Sequence, residues 1–467
     1  MDSTRLIITN VHLPYSERTL ADKLWIVECF QGRVVRVIPQ EDLDSLPPDS
    51  QRNELDGQGI LLPSCTHSHI HLDKCFILDR CELISGSVIT LVICDFKEAM
   101  KVTAAAKANF PSDTPDLMRR GRKLIRESVE CGVTSMRAHV EIDELAGFSG
   151  LDVALQLKKE VELACYVQIA AFAQEALFTN ADDINPGRNY GLLVEAARRE
   201  GVEAVGSAPY VEPTVEHARK NIGLIMQLAT EMHLHVDFHL DYSLDPNSEP
   251  LIYEVIKQAK KRSRSKDEPE RRITIGHATR LQLFTPKEWR ELRDAIGDLP
   301  ITFVGLPNSD LYMQGREYTE KPLGPPRGTL RVPYLSDNYG LQIAMSVNNV
   351  ENAFTPNGSV DSLALCALGA AVFQAATVKD VQTLMKSVTI TSKLAIGQEG
   401  LPLELYPQEG DPADFVILHG TKSLQQAVLN PAYDRTTIRN GRIVAHRRTK
   451  SWSILNQDSQ PPPLAAW

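Results

Sequence analysis

The sequence predicts an α/β protein whose central part is a closed (β/α)8 TIM barrel. Two observations lead to this prediction. Short apolar runs alternate with longer helical stretches through the middle of the chain, and polar residues follow the apolar runs where a barrel would use them. Both ends of the chain instead contain short strands with no long helices between them.

The end segments contain strand-like runs. Three lie in the first sixty residues, at 6–11, 24–30 and 34–38, and two lie near the C-terminus, at 413–419 and 436–445. Asn440-Gly441 lies between apolar or β-branched residues, which is typical of a two-residue hairpin turn. We therefore expect strands at both ends of the chain.

The central segment repeats one pattern. After the apolar run that ends near residue 71, strand-like runs lie at 132–140, 166–172, 204–208, 233–240, 273–277, 301–305 and 341–347. Helical stretches such as 116–131 and 150–164 lie in the gaps. Repeated alternation of strand and helix predicts a parallel sheet, and this many units predicts a closed barrel.

Composition and charge exclude several classes of protein. The net charge is −10, and acidic residues interrupt the densest basic stretch, which argues against a nucleic-acid or anionic-membrane partner. No apolar run is long enough for a membrane span, and the N-terminus lacks the features of a secretory signal. Eight cysteines are scattered without a C-x-x-C pair. We expect a cytoplasmic protein with reduced thiols.

The most informative motif is the pair His69 and His71. Alternate residues of a strand point to the same side, so both imidazoles leave one face about 7 Å apart. Two imidazoles placed in this way can bind one divalent ion of the zinc class. An isolated pair of this kind can also consist of ordinary polar residues at a strand end.

The position of the pair in the chain favours the metal interpretation. Polar residues lie at or just beyond the carboxyl ends of successive apolar runs: His69, His71, His139, Gln174, His239, His277 and Asn348. In a barrel these ends converge on one mouth, where active sites are built. The sequence therefore predicts an active site for a small-molecule substrate at that mouth.

These residues give the chain a resemblance to the amidohydrolase superfamily, specifically its cytosine-deaminase-like branch. The motifs that carry it are His69-Ile-His-Leu-Asp-Lys74, Met136-Arg-Ala-His-Val-Glu141, Val167-Gln-Ile-Ala-Ala-Phe-Ala-Gln-Glu175, His239-Leu-Asp and Thr274-Ile-Gly-His277. The resemblance covers nearly the whole chain. It implies a barrel at 61–389 and a small β-sandwich domain formed by the N- and C-terminal segments, 1–60 and 390–467.

The resemblance also implies roles for individual residues. It implies three ligands of one divalent metal ion, zinc or iron: His69, His71 and His239. His277 would orient the attacking water or the tetrahedral intermediate, and Gln174 would hydrogen-bond the substrate. His139 would contact the substrate at the mouth or make a structural hydrogen bond. Neutral imidazole suits both metals, and a carboxamide can donate and accept hydrogen bonds.

Two positions depart from the family pattern. Tyr242 stands where the family has a proton-shuttling Glu, and Asn348, followed by Asn349, stands where it has a metal-binding Asp. An amide is not basic, and tyrosine is a poor acid or base at neutral pH. Three neutral histidines would offset less of the charge of the ion, so that water could still ionise near neutrality.

The group that protonates a departing amine is then missing. Asp241 could relay that proton, or it could anchor a neighbouring His or a backbone amide. The segment 314–333, rich in Gly, Pro and Arg, is either a lid over the mouth or a solvated loop.

Three functions follow from this sequence. The first is a metal-dependent amidohydrolase-type enzyme that hydrolyses a C–N bond of a small heterocyclic or amide substrate, as a deaminase or a cyclic amide or amidine hydrolase. The second is a repurposed lyase or cyclase with the metal as Lewis acid and Tyr242 as proton donor. The third is a non-catalytic ligand-binding descendant. A homo-oligomer is left open.

Overall fold

The computed structural model describes residues 5–46, 52–81, 96–262, 271–315, 328–451 and 453. Within these ranges the strands are β1 (Arg5–His12), β2 (Trp25–Phe30), β3 (Arg33–Pro39), β4 (Arg52–Pro63), β5 (Cys65–His71), β6 (Val133–Glu141), β7 (Tyr166–Ala173), β8 (Val202–Ser207), β9 (His235–Leu240), β10 (Ile273–His277), β11 (Ile301–Gly305), β12 (Ile343–Met345), β13 (Phe415–His419), β14 (Arg435–Arg439) and β15 (Arg442–Arg447).

The α-helices of the same ranges are α1 (Arg18–Ala21), α2 (Phe96–Lys107), α3 (Thr114–Glu130), α4 (Ser149–Glu160), α5 (Arg188–Ala197), α6 (Val215–Glu231), α7 (Ile252–Arg262), α8 (Pro286–Ile296), α9 (Pro307–Met313), α10 (Val332–Tyr339), α11 (Ser362–Val372), α12 (Val378–Val388), α13 (Ile390–Ala395) and α14 (Leu424–Leu429). Short 3-10 helices lie at Gln40–Ser45, Leu78–Arg80, Phe110–Ser112, Pro209–Val211 and Thr279–Leu283.

The central strands β5 to β12 form an eight-stranded parallel sheet in chain order. Helices follow the strands and bury one face against the sheet. α3, for example, packs Leu117, Leu124 and Ile125 into the core. The predicted (β/α)8 TIM barrel is confirmed.

The barrel closes through residues just beyond β12. The backbone N–H of Asn348 donates to the carbonyl of His69 at 3.1 Å, and the N–H of His71 donates to the carbonyl of Asn348 at 2.8 Å. Ser346 supports the same contact, because its Oγ accepts from the N–H of His69 and donates to the His69 carbonyl. The first and last strands of the barrel therefore meet at the His69–His71 segment.

The end segments form a second sheet of seven strands, in the order β15-β14-β13-β4-β1-β2-β3. β1 and β4 are parallel, and the other pairs are antiparallel. Asn440 and Gly441 join β14 to β15 with φ of 50° and 71°, as expected for the predicted hairpin. Strands from both ends thus form the predicted separate domain. Their hydrogen bonds join them in a single sheet. The boundaries of the domain stay a prediction.

A buried polar layer lies inside the barrel on β6, β7, β9 and β10. Arg137 donates to Gln168, Asp237 and Thr274 and to the carbonyl of Ala395 in α13. Because a buried guanidinium must be paired, this network holds four barrel strands and the helix below them in one arrangement. No helix among the described residues is both long and apolar enough to cross a membrane.

Candidate metal centre and active site

The carboxyl ends of β5 and β9 bring three predicted metal ligands together. The ring centroids of His69 and His239 are 4.5 Å apart, those of His71 and His239 are 5.2 Å apart, and those of His69 and His71 are 5.6 Å apart. All three side chains are buried. The imidazoles are therefore close enough to share one ion.

The buried ring nitrogens of these histidines lack partners. Both ring nitrogens of His69, Nδ1 of His71 and Nε2 of His239 have no hydrogen-bond partner among the described residues. Desolvation by burial, aided by neighbouring positive groups, lowers the pKa of all three well below the usual value, so the rings are neutral. Neutral, unpaired imidazoles are the donor set that zinc and ferrous iron prefer, so these residues fit a divalent ion.

A second group of ligand-type atoms lies deeper in the barrel. His139 and Asp237 approach His69 and His239, with one ligand atom of each residue within 4.8 Å of the others. One carboxylate oxygen of Asp237 bonds Arg137 at 2.8 Å, and the other lies 3.1 Å from Nε2 of His139. Of this group only His239 lines the cavity described below.

His139 is paired with His71 in the register of β5 and β6 and does not line the cavity. Its ring stacks on His69 at 4.0 Å and is fully buried. The choice between a substrate contact and a structural hydrogen bond stays a prediction, and Asp237 Oδ1 lies 3.1 Å from Nε2 of His139. Sequence reasoning missed Asp237, although it shares a strand face with His239 by its i, i−2 spacing.

A narrow cavity reaches two of the three histidines, His71 and His239. It is lined by His71, Lys74, Phe96, Gln174, Tyr210, His239, Tyr242, His277, Ser309, Asn348, Asn349 and Phe354. Four of these residues are aromatic and form an apolar wall around the histidines. A ligand bound there would contact both aromatic rings and polar side chains.

Gln174 follows β7 and lies in this wall, as the sequence predicts. Tyr210 lines the same wall. Nε2 of Gln174 is buried without a partner among the described residues. The amide can therefore donate to a substrate carbonyl or ring nitrogen.

His277, at the end of β10, is held by a carboxylate that sequence reasoning missed. Its Nδ1 lies 2.8 Å from Oδ1 of Asp310 in α9, and Asp310 also accepts from the Leu306 N–H and the Thr329 hydroxyl. Burial raises the pKa of Asp310, and the hydrogen bonds oppose that rise. Nε2 is left as the ring atom available to the cavity. Asp310 lies within α9, beyond the end of β11, where the strand-end pattern does not reach.

Asn348 is the residue that replaces the expected aspartate. Its Nδ2 donates to Ser309 Oγ at 2.7 Å, and Ser309 Oγ lies 2.5 Å from the Thr355 hydroxyl oxygen. Oδ1 of Asn348 is buried and has no partner among the described residues. Because the Ser309 hydroxyl can accept from the amide NH2 or donate to the amide oxygen, it holds the side chain in place in either orientation of the amide.

Tyr242 and Asp241 are adjacent in sequence but make contacts in different parts of the structure. The Tyr242 ring packs on His277 at 3.9 Å between centroids, and its hydroxyl lies 3.5 Å from the Ser309 carbonyl oxygen. Asp241 accepts from the N–H groups of Leu251 and Ile252 at the start of α7, outside the cavity lining. Burial raises the pKa of Asp241 to about 7 although these two bonds oppose it. Its geometry favours the anchoring role over the proton relay.

Three residues around the site have strained backbone. Asp241, His277 and Asn348 have φ of 51°, 68° and 69°, a region that non-glycine residues rarely adopt. Each follows or ends a barrel strand. Such strain persists where surrounding contacts over-determine the conformation, which is common at active sites.

Lys74 brings a cation to the cavity wall. Its Nζ bonds Glu141 at 2.5 Å, and Lys107 bonds the other oxygen of that carboxylate at 2.5 Å. The Lys74 ammonium also lies 4.6 Å from the centre of the Phe354 ring.

The segment 314–333, considered above as a lid or a solvated loop, lies largely outside the described residues.

The comparisons with known proteins agree with this arrangement. No family model matches the sequence. A 5-methylcytosine deaminase from Klebsiella pneumoniae superposes with a TM-score of 0.77 and 22% identity, covering 96% of this chain and 99% of that one. The chain has an amidohydrolase fold. An adenosine deaminase from Xanthomonas campestris, solved with bound zinc, superposes with a TM-score of 0.63 and 14% identity over 95% of this chain and 93% of that one.

Sequence comparison finds the same group of proteins. An N-isopropylammelide isopropyl amidohydrolase from Pseudomonas sp. (strain ADP) is 22% identical over 94% of this chain and 96% of its own length. The amidohydrolase fold thus extends over nearly the whole chain, as the motifs predicted. The resemblance to the amidohydrolase superfamily is confirmed.

Proposed function

We propose that this chain is a metal-dependent hydrolase that cleaves a C–N bond of a small heterocyclic or amide substrate. The observation that carries the proposal is the triad His69, His71 and His239, whose buried ring nitrogens lack partners among the described residues. His71 and His239 also line the cavity. The relatives named above, a deaminase and an amidohydrolase among them, support the same class of reaction. A deaminase and a cyclic amide or amidine hydrolase both fit.

The histidine triad would hold the ion, zinc or iron. When bound there, such an ion supplies Lewis acidity and makes water nucleophilic near neutral pH. Gln174 would orient the substrate through its free Nε2, and the aromatic wall would exclude bulk water. Exclusion of water strengthens each of these polar contacts.

His277 would carry the proton that hydrolysis requires. With Nδ1 held by Asp310, its Nε2 can take a proton from the attacking water and return it to the departing nitrogen. This assignment needs no proton transfer through Tyr242, Asn348 or Asp241. No feature of the described residues favours the non-hydrolytic or the non-catalytic alternative.

Metal analysis together with a hydrolysis panel tests the proposal. The purified full-length protein should contain about one zinc or iron per chain, and it should release ammonia or an amine from aminated heterocycles, cyclic amides or cyclic amidines. His239→Ala should lose both metal and turnover. His446→Ala, at an exposed position on β15, is the matched control and should keep both.

A wild-type protein that binds no divalent ion would contradict the proposal, as would a metal-loaded protein that hydrolyses nothing in the panel.

The cytoplasmic location, the absence of a nucleic-acid or membrane partner and a homo-oligomeric state stay predictions. A small-molecule substrate is the partner that the cavity supports.

A further inference from the structure

A second cavity lies at the opposite end of the barrel from the histidine triad. It measures about 430 Å³. Thr134, Tyr166 and His235 line it from the starts of β6, β7 and β9, and Asp414 and Arg439 line it from beside β13 and from the end of β14. Because barrel enzymes build their active sites at the carboxyl ends of the strands, this cavity is separate from the proposed active site.

Lys393 brings a buried positive charge to the wall of this second cavity. It lies in α13 and is 4% exposed. Its Nζ donates to Ser64 Oγ at 2.8 Å, and it forms no ion pair with a carboxylate of the described residues. An ammonium has three N–H donors, so two of them have no acceptor in that part of the chain. An unpaired buried charge is costly, and an anion in the cavity would supply the missing partner.

The groups around Lys393 do not cancel its charge. Burial lowers the pKa of Lys393, and the attraction of Asp414 only partly opposes this effect. Asp414 is half-buried, and its Oδ1 already accepts from the N–H of Asn440 at 2.7 Å. Arg439, at the end of β14, adds a second positive charge nearby. The surroundings of the Lys393 ammonium therefore favour an anion.

His235 adds a neutral hydrogen-bond donor to the same wall. Burial lowers the pKa of His235 to about 3, so the ring is neutral at neutral pH. Its Nδ1 accepts from the backbone N–H of Arg272 at 3.0 Å, which leaves the ring proton on Nε2. A Cβ at Gly397, which also lines the cavity, would come within 2.7 Å of this Nε2. A side chain at residue 397 would displace the donor, and glycine leaves it in place.

We propose that this second cavity is a binding site for a small organic monocarboxylate, distinct from the active site. The carboxylate group would accept from the N–H groups of Lys393 that Ser64 does not engage, and from Nε2 of His235. The apolar part of the ligand would pack against Leu401 and Pro402, which line the same cavity. Charge-assisted hydrogen bonds are stronger than neutral ones, and they gain strength where water is excluded.

The acidic residues of this cavity limit the charge of its ligand. Glu399 lines the cavity at an exposed position, and Asp414 lines it at a half-buried one. Both are more exposed than Lys393. They would repel a second negative charge on the ligand, so we expect a monoanion to bind more tightly than a dianion.

Calorimetry on the full-length protein tests this inference without any turnover. The probes are benzoate and benzamide, which match in size and differ in charge, together with isophthalate and inorganic phosphate. Benzoate should bind at least about tenfold more tightly than benzamide, because only benzoate offsets the charge of Lys393. It should also bind at least about threefold more tightly than isophthalate or phosphate. Because a ligand of the folded state stabilises it, benzoate should raise the temperature of thermal unfolding.

Three variants assign the binding to this cavity. Lys393→Met keeps the length of the side chain and removes its charge, so benzoate affinity should fall at least about tenfold and the rise in unfolding temperature should disappear. Lys287→Met, at a side chain that is 80% exposed, is the matched control and should keep benzoate affinity within about twofold. Arg439→Gln should weaken benzoate binding about threefold, and it keeps the test decisive if Lys393→Met does not fold.

Four outcomes would overturn the proposal. Equal benzoate affinity in wild type, Lys393→Met and Arg439→Gln would place the bound benzoate elsewhere on the protein. Benzamide that binds as tightly as benzoate would remove the requirement for charge. Phosphate that binds more tightly than benzoate, and that Lys393→Met releases, would replace the organic carboxylate with an inorganic anion. Binding of none of the probes would leave the cavity to solvent.

Discussion

His277 shows how a single unrecognised partner alters the chemistry of a predicted residue. Asp310 engages one ring nitrogen and is itself held by a backbone N–H and a hydroxyl. The carboxylate therefore selects the tautomer that leaves Nε2 to accept a proton. The histidine can act as the proton carrier only in that orientation.

Asp310→Asn should lower kcat by at least about 100-fold while metal content stays unchanged, because an amide can present its NH2 group and favour the wrong tautomer. Steady-state kinetics on a substrate from the hydrolysis panel, with metal analysis of the same preparation, measures this. Glu144→Gln, an exposed acidic position outside the cavity, is the control. Equal kcat for Asp310→Asn and wild type would remove Asp310 from the mechanism.

At the scale of residues, the sequence predicts the histidines well and their partners poorly. His69, His71 and His239 are visible because regular strands point alternate residues to one side. Asp310 and Ser309 lie in a helix after β11, where no strand periodicity applies, and they act on residues 33 and 39 positions away. Contacts at such separations depend on the folded barrel, so spacing alone does not reveal them.

At the scale of elements, the start of α3 stabilises the loop that follows the metal-binding strand. Asp116 accepts hydrogen bonds from Arg80, Arg119 and Arg120. Arg120 is fully buried and donates in turn to the carbonyls of Asp73 and Cys75. One helix turn therefore supports the chain immediately after His71.

Asp116→Asn should destabilise the fold by about 1–3 kcal/mol at pH 7. Burial would raise the pKa of Asp116, but the three arginines outweigh it and hold the pKa below its ordinary value. The charged form thus stabilises the fold above about pH 4, and this contribution disappears as the pH falls further. Urea unfolding should show a large difference in the free energy of unfolding between Asp116→Asn and wild type at pH 7, and a smaller difference at pH 3. A constant difference would contradict this assignment.

The N-terminus of α8 offers a simpler element-scale test. Thr285 accepts from the N–H of Glu288, and Glu288 accepts from the N–H of Thr285, which completes a capping box. Thr285→Ala should cost about 1 kcal/mol in the free energy of unfolding, and Thr285→Ser should cost little. Thermal unfolding of the two variants checks the difference. Equal loss in both would point to packing instead of capping.

At the scale of the whole molecule, a buried ion pair joins the two sheets. Arg435 on β14 bonds both oxygens of Asp361, which caps α11 of the barrel, and also donates to the carbonyl of Cys131. Arg435 is 1% exposed. The end-segment domain is therefore tied to the barrel by a bidentate contact that solvent hardly reaches.

Arg435→Gln should reduce the free energy of unfolding by about 3–5 kcal/mol, because it leaves a largely buried carboxylate without its counter-charge. Chemical denaturation followed by circular dichroism measures the loss. Arg18→Gln, where the side chain is 94% exposed, is the matched control and should stay within about 0.5 kcal/mol of wild type. A loss below about 1 kcal/mol for Arg435→Gln would contradict a stabilising role.

The overall architecture was more predictable than this contact. Alternating apolar runs and helices specify a barrel because each element must bury one face against a neighbour. The pairing of β13 with β4 depends on segments that are far apart in sequence and carry no mutual pattern. For that reason the strands of the end segments were visible in the sequence, while their union in one sheet was not.

The closure of the barrel has a consequence for how the molecule holds together. His69 bonds Ser346, 277 residues later in the chain, and His239 lies on β9, elsewhere in the barrel. An ion bound by the triad would therefore link β5 to β9, and a cross-link that closes so long a loop gains much of its effect by restricting the unfolded chain. The reactive centre would then also stabilise the barrel, and removal of the ion should lower its free energy of unfolding.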